Sequence, residues 1–95
     1  MKPLCYEYLN CPTTFSTYDD FNKKFRITRP ESFNFAYDVA DRIAQEEPDR
    51  LAVLWTDESG ACIRYTFGQL KEESDRAANL FKSLGIRKGD KVMLI

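Results

Sequence analysis

The sequence predicts an α/β protein, and three features of the chain carry that prediction. Residues 66–84 have the capping pattern and apolar spacing of a long amphipathic helix. Two short apolar runs before it flank a turn, as in a β-hairpin. Residues 91–95 follow a second turn and form a nearly continuous apolar run, typical of a strand buried on both faces of a parallel sheet. Such a strand needs neighbours, so we expect the start of a larger α/β domain, truncated in its first sheet strand.

Residues 1–32 are expected to form an N-terminal arm and one short helix. The first half of this region has no hydrophobic period and is interrupted by Pro3 and Pro12, so an extended or turning arm is predicted. Residues 27–33 contain Pro30 and are interpreted as a connector to the next element.

The short helix is predicted over residues 17–25, with Ser16 or Thr17 as its N-cap. Its aromatic side chains recur at i, i+3 and i+7 and would share one stripe: Tyr18, Phe21 and Phe25. A partner surface or a lipid headgroup could cover such a stripe. Packing against the remainder of the same protein is the simpler interpretation.

A second helix is predicted between Asn34 and Pro48. Asn34 is a favourable N-cap, and Pro48 ends the helix because the residue before a proline avoids the α region. The apolar face recurs with helical spacing: Ala36, Val39, Ala40, Ile43 and Ala44. The acidic side chains of the last turn are expected to face solvent, and none is a candidate for catalysis.

A β-hairpin is predicted from residues 51–55 and 61–65, which flank the turn cluster at 57–60. The first strand is apolar on both faces. The second alternates, so one of its faces is expected to meet water or a charged neighbour. Gly60 is explained as a turn residue and does not indicate a phosphate-binding loop.

The long helix is the best-specified element. Thr66 and Gln69 fit a capping box, and Gly85 is placed to close the helix in a left-handed conformation. Gly68 lies in the first turn, where it is expected to allow close packing. A buried face is predicted from the apolar residues of the helix: Leu70, Ala77, Leu80, Phe81 and Leu84.

Composition excludes several classes of function. The chain has 14 basic and 15 acidic side chains and a net charge of −1, without the basic excess of a nucleic-acid-binding protein or a polybasic membrane anchor. No segment is long and apolar enough to span a bilayer, and no secretory signal is visible after Met1. We therefore predict a cytoplasmic protein that does not bind nucleic acid.

The three cysteines, Cys5, Cys11 and Cys62, are predicted to be reduced thiols. Their spacing does not match a zinc site, and the chain has no histidine to complete one. Without histidine, a Cys–His or Ser–His nucleophile pair cannot be assembled either. No metal ligand and no catalytic nucleophile is assigned.

Three stretches, in this order, make the chain resemble acyl-CoA synthetases of the adenylate-forming (AMP-binding) superfamily. The first, Phe33-Asn34-Phe35-Ala36-Tyr37-Asp38-Val39, is similar to the opening of the medium-chain type. The second is Pro48-Asp49-Arg50. The third combines residues 65–70 (YTFGQL), 74–80 (SDRAANL) and 85–92 (GIRKGDKV). The resemblance implies that residues 33–95 are the N-terminal portion of the large domain: short helices, a β-hairpin, a long helix, then the first strand of a larger sheet.

The family resemblance implies an enzyme that uses ATP, Mg²⁺ and coenzyme A. Such a ligase activates a carboxylic acid to an acyl-adenylate and passes the acyl group to coenzyme A. The phosphate loop, magnesium-contacting motif and C-terminal lysine of the family belong further along its chain. Since no G-x-x-x-x-G-K-[ST] or G-x-G-x-x-G motif occurs here, no catalytic, cofactor-binding or metal-binding residue is assigned, and this segment alone is expected to be inactive and to bind no cofactor.

The sequence leaves two other functions open. Another branch of the superfamily would activate an amino acid or aryl acid and load a carrier protein. A free-standing α/β interaction module would have no catalysis and would unfold cooperatively as a monomer. A segment with a cut sheet edge is instead expected to self-associate, edge strand to edge strand.

Overall fold

The computed structural model describes residues 3–95, and the chain divides into two compact units, Met1–Val39 and Ala40–Ile95. The predicted class is confirmed, since short helices precede an antiparallel hairpin and a long helix. The boundary predicted after residue 32 came from the resemblance rather than from compactness. It stays a prediction.

The first unit contains a short helix, α1 (Cys5–Tyr8), inside the region expected to be an extended or turning arm. The arm returns on itself, because Leu9 forms an isolated antiparallel bridge with Ile27. Next to that bridge, the Thr28 amide donates to the Tyr8 carbonyl at 2.6 Å. The Tyr8 ring meets the Phe33 ring edge to face, with centroids 5.4 Å apart. The connector predicted around Pro30 is thus held to the arm by backbone and ring contacts.

Helix α2 (Tyr18–Lys24) matches its prediction closely. Thr17 is the N-cap, and its hydroxyl accepts from the Asp20 amide at 3.1 Å. The aromatic stripe is only partly packed. The Phe21 ring stacks on Phe25 at 4.9 Å and meets Phe15 edge to face at 5.2 Å, whereas Tyr18 is exposed.

The helix predicted between Asn34 and Pro48 is present, but its first half is a π-helix, Ala36–Asp41, which continues into α3 (Arg42–Glu46). Asn34 caps it as predicted, since its Oδ1 accepts from the Ala36 amide at 2.9 Å. The wider π turn departs from the 3.6-residue spacing on which the prediction relied. The helix ends before Glu47, which leaves the helical region ahead of Pro48.

The hairpin consists of β1 (Leu51–Thr56) and β2 (Cys62–Thr66), paired antiparallel as predicted. Its register places Val53 opposite Tyr65 and Trp55 opposite Ile63, with an irregularity between Leu51 and Val53. Opposed residues share a face of the sheet, so these four apolar side chains lie on one side. The other side carries the pair Leu54 and Arg64.

Asp57 organises the hairpin turn. Its Oδ1 accepts from the Ser59 hydroxyl at 2.6 Å, the Ser59 amide at 2.9 Å and the Ala61 amide at 3.0 Å. Gly60 has φ 84°, a left-handed conformation that glycine adopts without strain. The turn expected from composition is confirmed, and a carboxylate side chain closes it.

The Ser59 hydroxyl, with the backbone amides of the turn, holds the pKa of Asp57 below its ordinary value of 3.8. The folded pKa is depressed, so the stabilisation is present above about pH 3.8 and is lost as the pH falls through the folded value. We expect an NMR titration of the Asp57 carboxyl to give a midpoint below 3.8, and Ser59→Ala to move it upward. An unchanged midpoint in Ser59→Ala would show that the Ser59 hydroxyl does not lower the pKa of Asp57.

Helix α4 (Phe67–Ser83) has both ends as predicted. In the capping box, the Thr66 amide donates to Gln69 Oε1 at 2.9 Å, and the Gln69 amide donates to Thr66 Oγ1 at 3.2 Å. At the other end Gly85 has φ 78°; its amide donates to the Lys82 carbonyl, and the Ile86 amide donates to the Phe81 carbonyl. This pair of bonds is a Schellman motif.

Thr66→Ala is expected to lower the free energy of unfolding of the chain by about 1 kcal/mol, because one amide of the first turn loses its acceptor. Thr66→Ser keeps an oxygen at the same position and is the matched control. Urea unfolding followed by circular dichroism measures both. Equal losses in the two variants would show that the threonine methyl, and not the cap, stabilises this turn.

The first turn of α4 packs against the loop between α3 and β1. The Gly68 amide donates to the Pro48 carbonyl and the Phe67 amide to the Arg50 carbonyl, both at 2.9 Å. A Cβ placed on Gly68 would lie 3.1 Å from the Pro48 carbonyl oxygen. The close packing expected at Gly68 is therefore confirmed.

The core of the second unit is small. Among the described residues, the buried side chains are Ile43, Ala44 and Asp41, all from the π-helix and α3. The Asp41 carboxylate lies 3.9 Å from the Lys71 ammonium on α4, and this ion pair links α4 to the helical segment that leads into α3. Lys71 also bonds Asp75 at 2.8 Å.

Two predictions about burial are wrong for this chain. The apolar face of α4 is not buried: Leu80 is 56% and Leu84 66% exposed, and the partly buried residues of the helix lie in its first turns, before residue 72. Residues 91–95 do not form a strand, and Leu94 is 87% exposed. A strand needs a hydrogen-bonded neighbour, and no other strand in the described part of the chain pairs with this segment.

Candidate functional site

No catalytic or ligand-binding residue was predicted, and the structure gathers no reactive cluster from the residues it describes. Within residues 3–95, no group of three His, Cys, Asp or Glu side chains could hold a metal ion. Cys5, Cys11 and Cys62 are free thiols, as predicted, and the Cys11 thiol donates to the Arg26 carbonyl at 3.4 Å.

Many of the charged side chains are engaged in local ion pairs along helices and loops. Examples are Lys24–Asp20 at 2.6 Å, Arg50–Glu47 at 2.8 Å and Arg76–Glu73 at 2.9 Å. These pairs join residues three or four positions apart on the surface, where such contacts contribute little to stability. They are the pattern of a solvated helix face rather than of an acid–base site.

The second unit has an open hollow of about 520 Å³ where the hairpin meets α4. Its lining includes Val53 and Tyr65 from the opposed strands, Leu70 from α4, and Glu73 at its edge. A nucleotide triphosphate needs cationic side chains, metal or clustered backbone amides around its phosphates. These lining residues are apolar or acidic, so the hollow has the chemistry of a packing surface.

The first unit has a smaller hollow of about 250 Å³ beside the Leu9–Ile27 bridge. Rings and aliphatic groups dominate its walls, which are formed by Tyr8, Ile27, Thr28, Arg29, Pro30 and Phe33. One arginine is too little to define a ligand, and we assign none.

The described helices and the hairpin define an α/β segment. Residues 40–95 match the family model of the AMP-binding enzymes, and the chain belongs to that family. The match begins where the second compact unit begins.

Curated relatives extend the likeness across the chain. Mouse acyl-coenzyme A synthetase ACSM3, mitochondrial, is 37% identical over an alignment of 102 positions, which covers 100% of this chain and 18% of the relative. Rat acyl-coenzyme A synthetase ACSM5, mitochondrial, is 39% identical over 72 residues, which cover 70% of this chain and 12% of the relative. Acetyl-coenzyme A synthetase of Phycomyces blakesleeanus is 42% identical over 62 residues, which cover 64% of this chain and 9% of the relative. The resemblance to acyl-CoA synthetases is confirmed, and the chain spans less than a fifth of these relatives.

None of the helices within residues 3–95 has the length and apolar character needed to cross a bilayer.

Proposed function

We propose that the protein containing this chain is an ATP-dependent, AMP-forming acid–thiol ligase, an acyl-CoA synthetase. A carboxylate attacks the α-phosphorus of MgATP, which forms an acyl-adenylate and releases pyrophosphate. The thiol of coenzyme A then attacks the acyl carbon, which forms the thioester and releases AMP. The match of residues 40–95 to the AMP-binding family carries this proposal, and the relatives named as acyl-CoA or acetyl-CoA synthetases support it.

Within that enzyme, residues 1–95 have a structural role. ATP, Mg²⁺, the acid and coenzyme A would bind outside this segment, because its described hollows lack clustered donors and its acidic groups are largely paired or solvated. Residues 1–32 form the proposed arm, and residues 33–95 form the proposed start of the large domain.

The test is acid-dependent exchange of labelled pyrophosphate into ATP by the protein from the complete reading frame. We expect exchange with one class of carboxylic acid from a series of short, medium and long chains, and thioester formation when coenzyme A is added. Residues 1–95 alone should catalyse neither reaction. Exchange that ignored every carboxylic acid, or adenylate passed only to a carrier protein, would contradict the proposal.

The compartment is a separate proposal. The sequence favours the cytoplasm, whereas the ACSM3 and ACSM5 relatives are named as mitochondrial, which makes the mitochondrion the second candidate. Imaging of the C-terminally tagged complete protein beside a mitochondrial marker distinguishes the two.

A further inference from the structure

We infer that the apolar surface shared by β1, β2 and α4 is the interface on which the rest of the complete enzyme packs, an inference that rests on the proposed function. We name it the hairpin–helix face. It is defined by seven side chains: Val53, Trp55, Ile63, Tyr65, Leu70, Leu80 and Leu84.

The hairpin part of the face follows from the strand register. Val53 opposes Tyr65, and Trp55 opposes Ile63, so these side chains share the side of the sheet on which Leu70 lines the hollow. Their burial is incomplete, since Trp55 is 49% and Ile63 46% exposed. A two-stranded ribbon needs a covering layer on its apolar side for stability.

The helix part of the face continues from the same hollow. Leu70, Ala77 and the C-cap residue Leu84 recur every seven residues and follow one side of α4, over about 21 Å of helix axis. Leu80 and Phe81 flank this line, and both are exposed. The stripe has the spacing of a buried helix face, yet residues 72–85 are exposed in this chain.

The chain as a whole exposes 8456 Å² of accessible surface. A folded protein of 11.1 kDa would expose about 5,700 Å², and two separately folded pieces sharing this mass about 6,800 Å². The excess over either value is on the order of 2,000 Å² and belongs to the whole chain, polar as well as apolar groups. The hairpin–helix face contributes to it, since Trp55 is 49%, Leu80 56% and Leu84 66% exposed.

The occupant we favour is polypeptide of the same enzyme. The acyl-CoA synthetase relatives extend well beyond this chain, which covers 18% of mouse ACSM3 and 12% of rat ACSM5, so most of such an enzyme lies outside residues 1–95. A lipid surface fits poorly. The polar side of α4 mixes acidic and basic groups, such as Arg76 with Glu73, whereas membrane-surface helices are enriched in lysine and arginine there.

The first test compares two neighbouring substitutions in the complete enzyme. Leu80→Asp places a charge on the hairpin–helix face, and Asn79→Asp places the same charge on the opposite side of α4, where the side chain is also exposed. We expect Leu80→Asp to lower the thermal midpoint by roughly 5 °C or more, or to abolish soluble yield, and Asn79→Asp to leave it unchanged. Equal midpoints would overturn the inference.

The second test needs no substitution, so a folding failure cannot obscure it. Hydroxyl-radical footprinting of the complete enzyme compares oxidation of Trp55 and Tyr65 in the folded and the denatured protein. Burial under other polypeptide predicts slowing by more than about tenfold, whereas the half-exposed state of this chain predicts about twofold. Twofold slowing, or protection that disappears on dilution because a second copy covers the face, would overturn the inference.

The ligase assay is independent of both measurements. Buried Trp55 without acid-dependent exchange would support the interface and contradict the proposed function. Acid-dependent exchange by an enzyme whose hairpin–helix face is exposed to solvent would support the proposed function and contradict the interface.

Discussion

Replacing Ile43 by alanine is expected to lower the free energy of unfolding of residues 1–95 by about 2–3 kcal/mol, through lost transfer energy and the cavity left behind. Ile43 is 9% exposed and is the largest buried apolar side chain among the described residues. It lies on α3, whose contacts with α4 form the small core of the second unit. Urea unfolding followed by circular dichroism measures the change.

Ile63→Ala is the matched control, because it removes the same atoms from a side chain that is 46% exposed on β2. Its expected cost in the chain is below about 1 kcal/mol. In the complete enzyme the cost of Ile63→Ala should rise toward that of Ile43→Ala if the hairpin–helix face is covered. Similar losses for both variants in residues 1–95 alone would contradict the location of the core.

Gly68→Val is expected to lower the free energy of unfolding by about 1–3 kcal/mol, because the added side chain has no room. A Cβ at this position already lies 3.1 Å from the Pro48 carbonyl oxygen and 3.4 Å from the Pro48 Cβ. Moving the Pro48 carbonyl away would break a hydrogen bond, since it accepts from the Gly68 amide at 2.9 Å. The valine methyl groups extend further into the same loop. Chemical denaturation measures the free energy of unfolding of the chain with and without Gly68→Val.

Ala78→Val on the same helix is the control for the β-branched side chain itself, at a position that is exposed. Its expected cost is below about 1 kcal/mol, the difference in helix propensity. Gly68→Ala should fall between the two, since it adds only the Cβ. A Gly68→Val loss no larger than that of Ala78→Val would mean that the loop at Pro48 moves aside without cost.

The ends of the helices were predictable because capping acts within three or four residues. Thr17, Asn34 and the Thr66–Gln69 box accept or donate the bonds that their residue types suggested, and Gly85 has the positive φ that a Schellman closure needs. The hairpin was predictable for a similar reason, since Asp57 and Gly60 determine a turn between two apolar runs.

The geometry between Ala36 and Asp41 was not predictable from spacing. The apolar residues there fit an α-helical face, and the structure has a π-helix instead. A π turn inserts a residue without changing composition, so a pattern based on 3.6 residues per turn cannot reveal it. Helix α1 was missed because four residues are too few to show a period.

By itself, the sequence determined the α/β class, the order of the elements, their caps and turns, and membership of the AMP-binding family, because each depends on residues close together in the chain. Tertiary structure alone decided which apolar faces are covered: Ile43 is buried, while Leu84 and Leu94 face solvent although all three fit buried patterns. Hydrophobic periodicity indicates which side of a helix or strand is apolar and is stabilised by burial. Whether a neighbour covers that side depends on polypeptide far away along the chain.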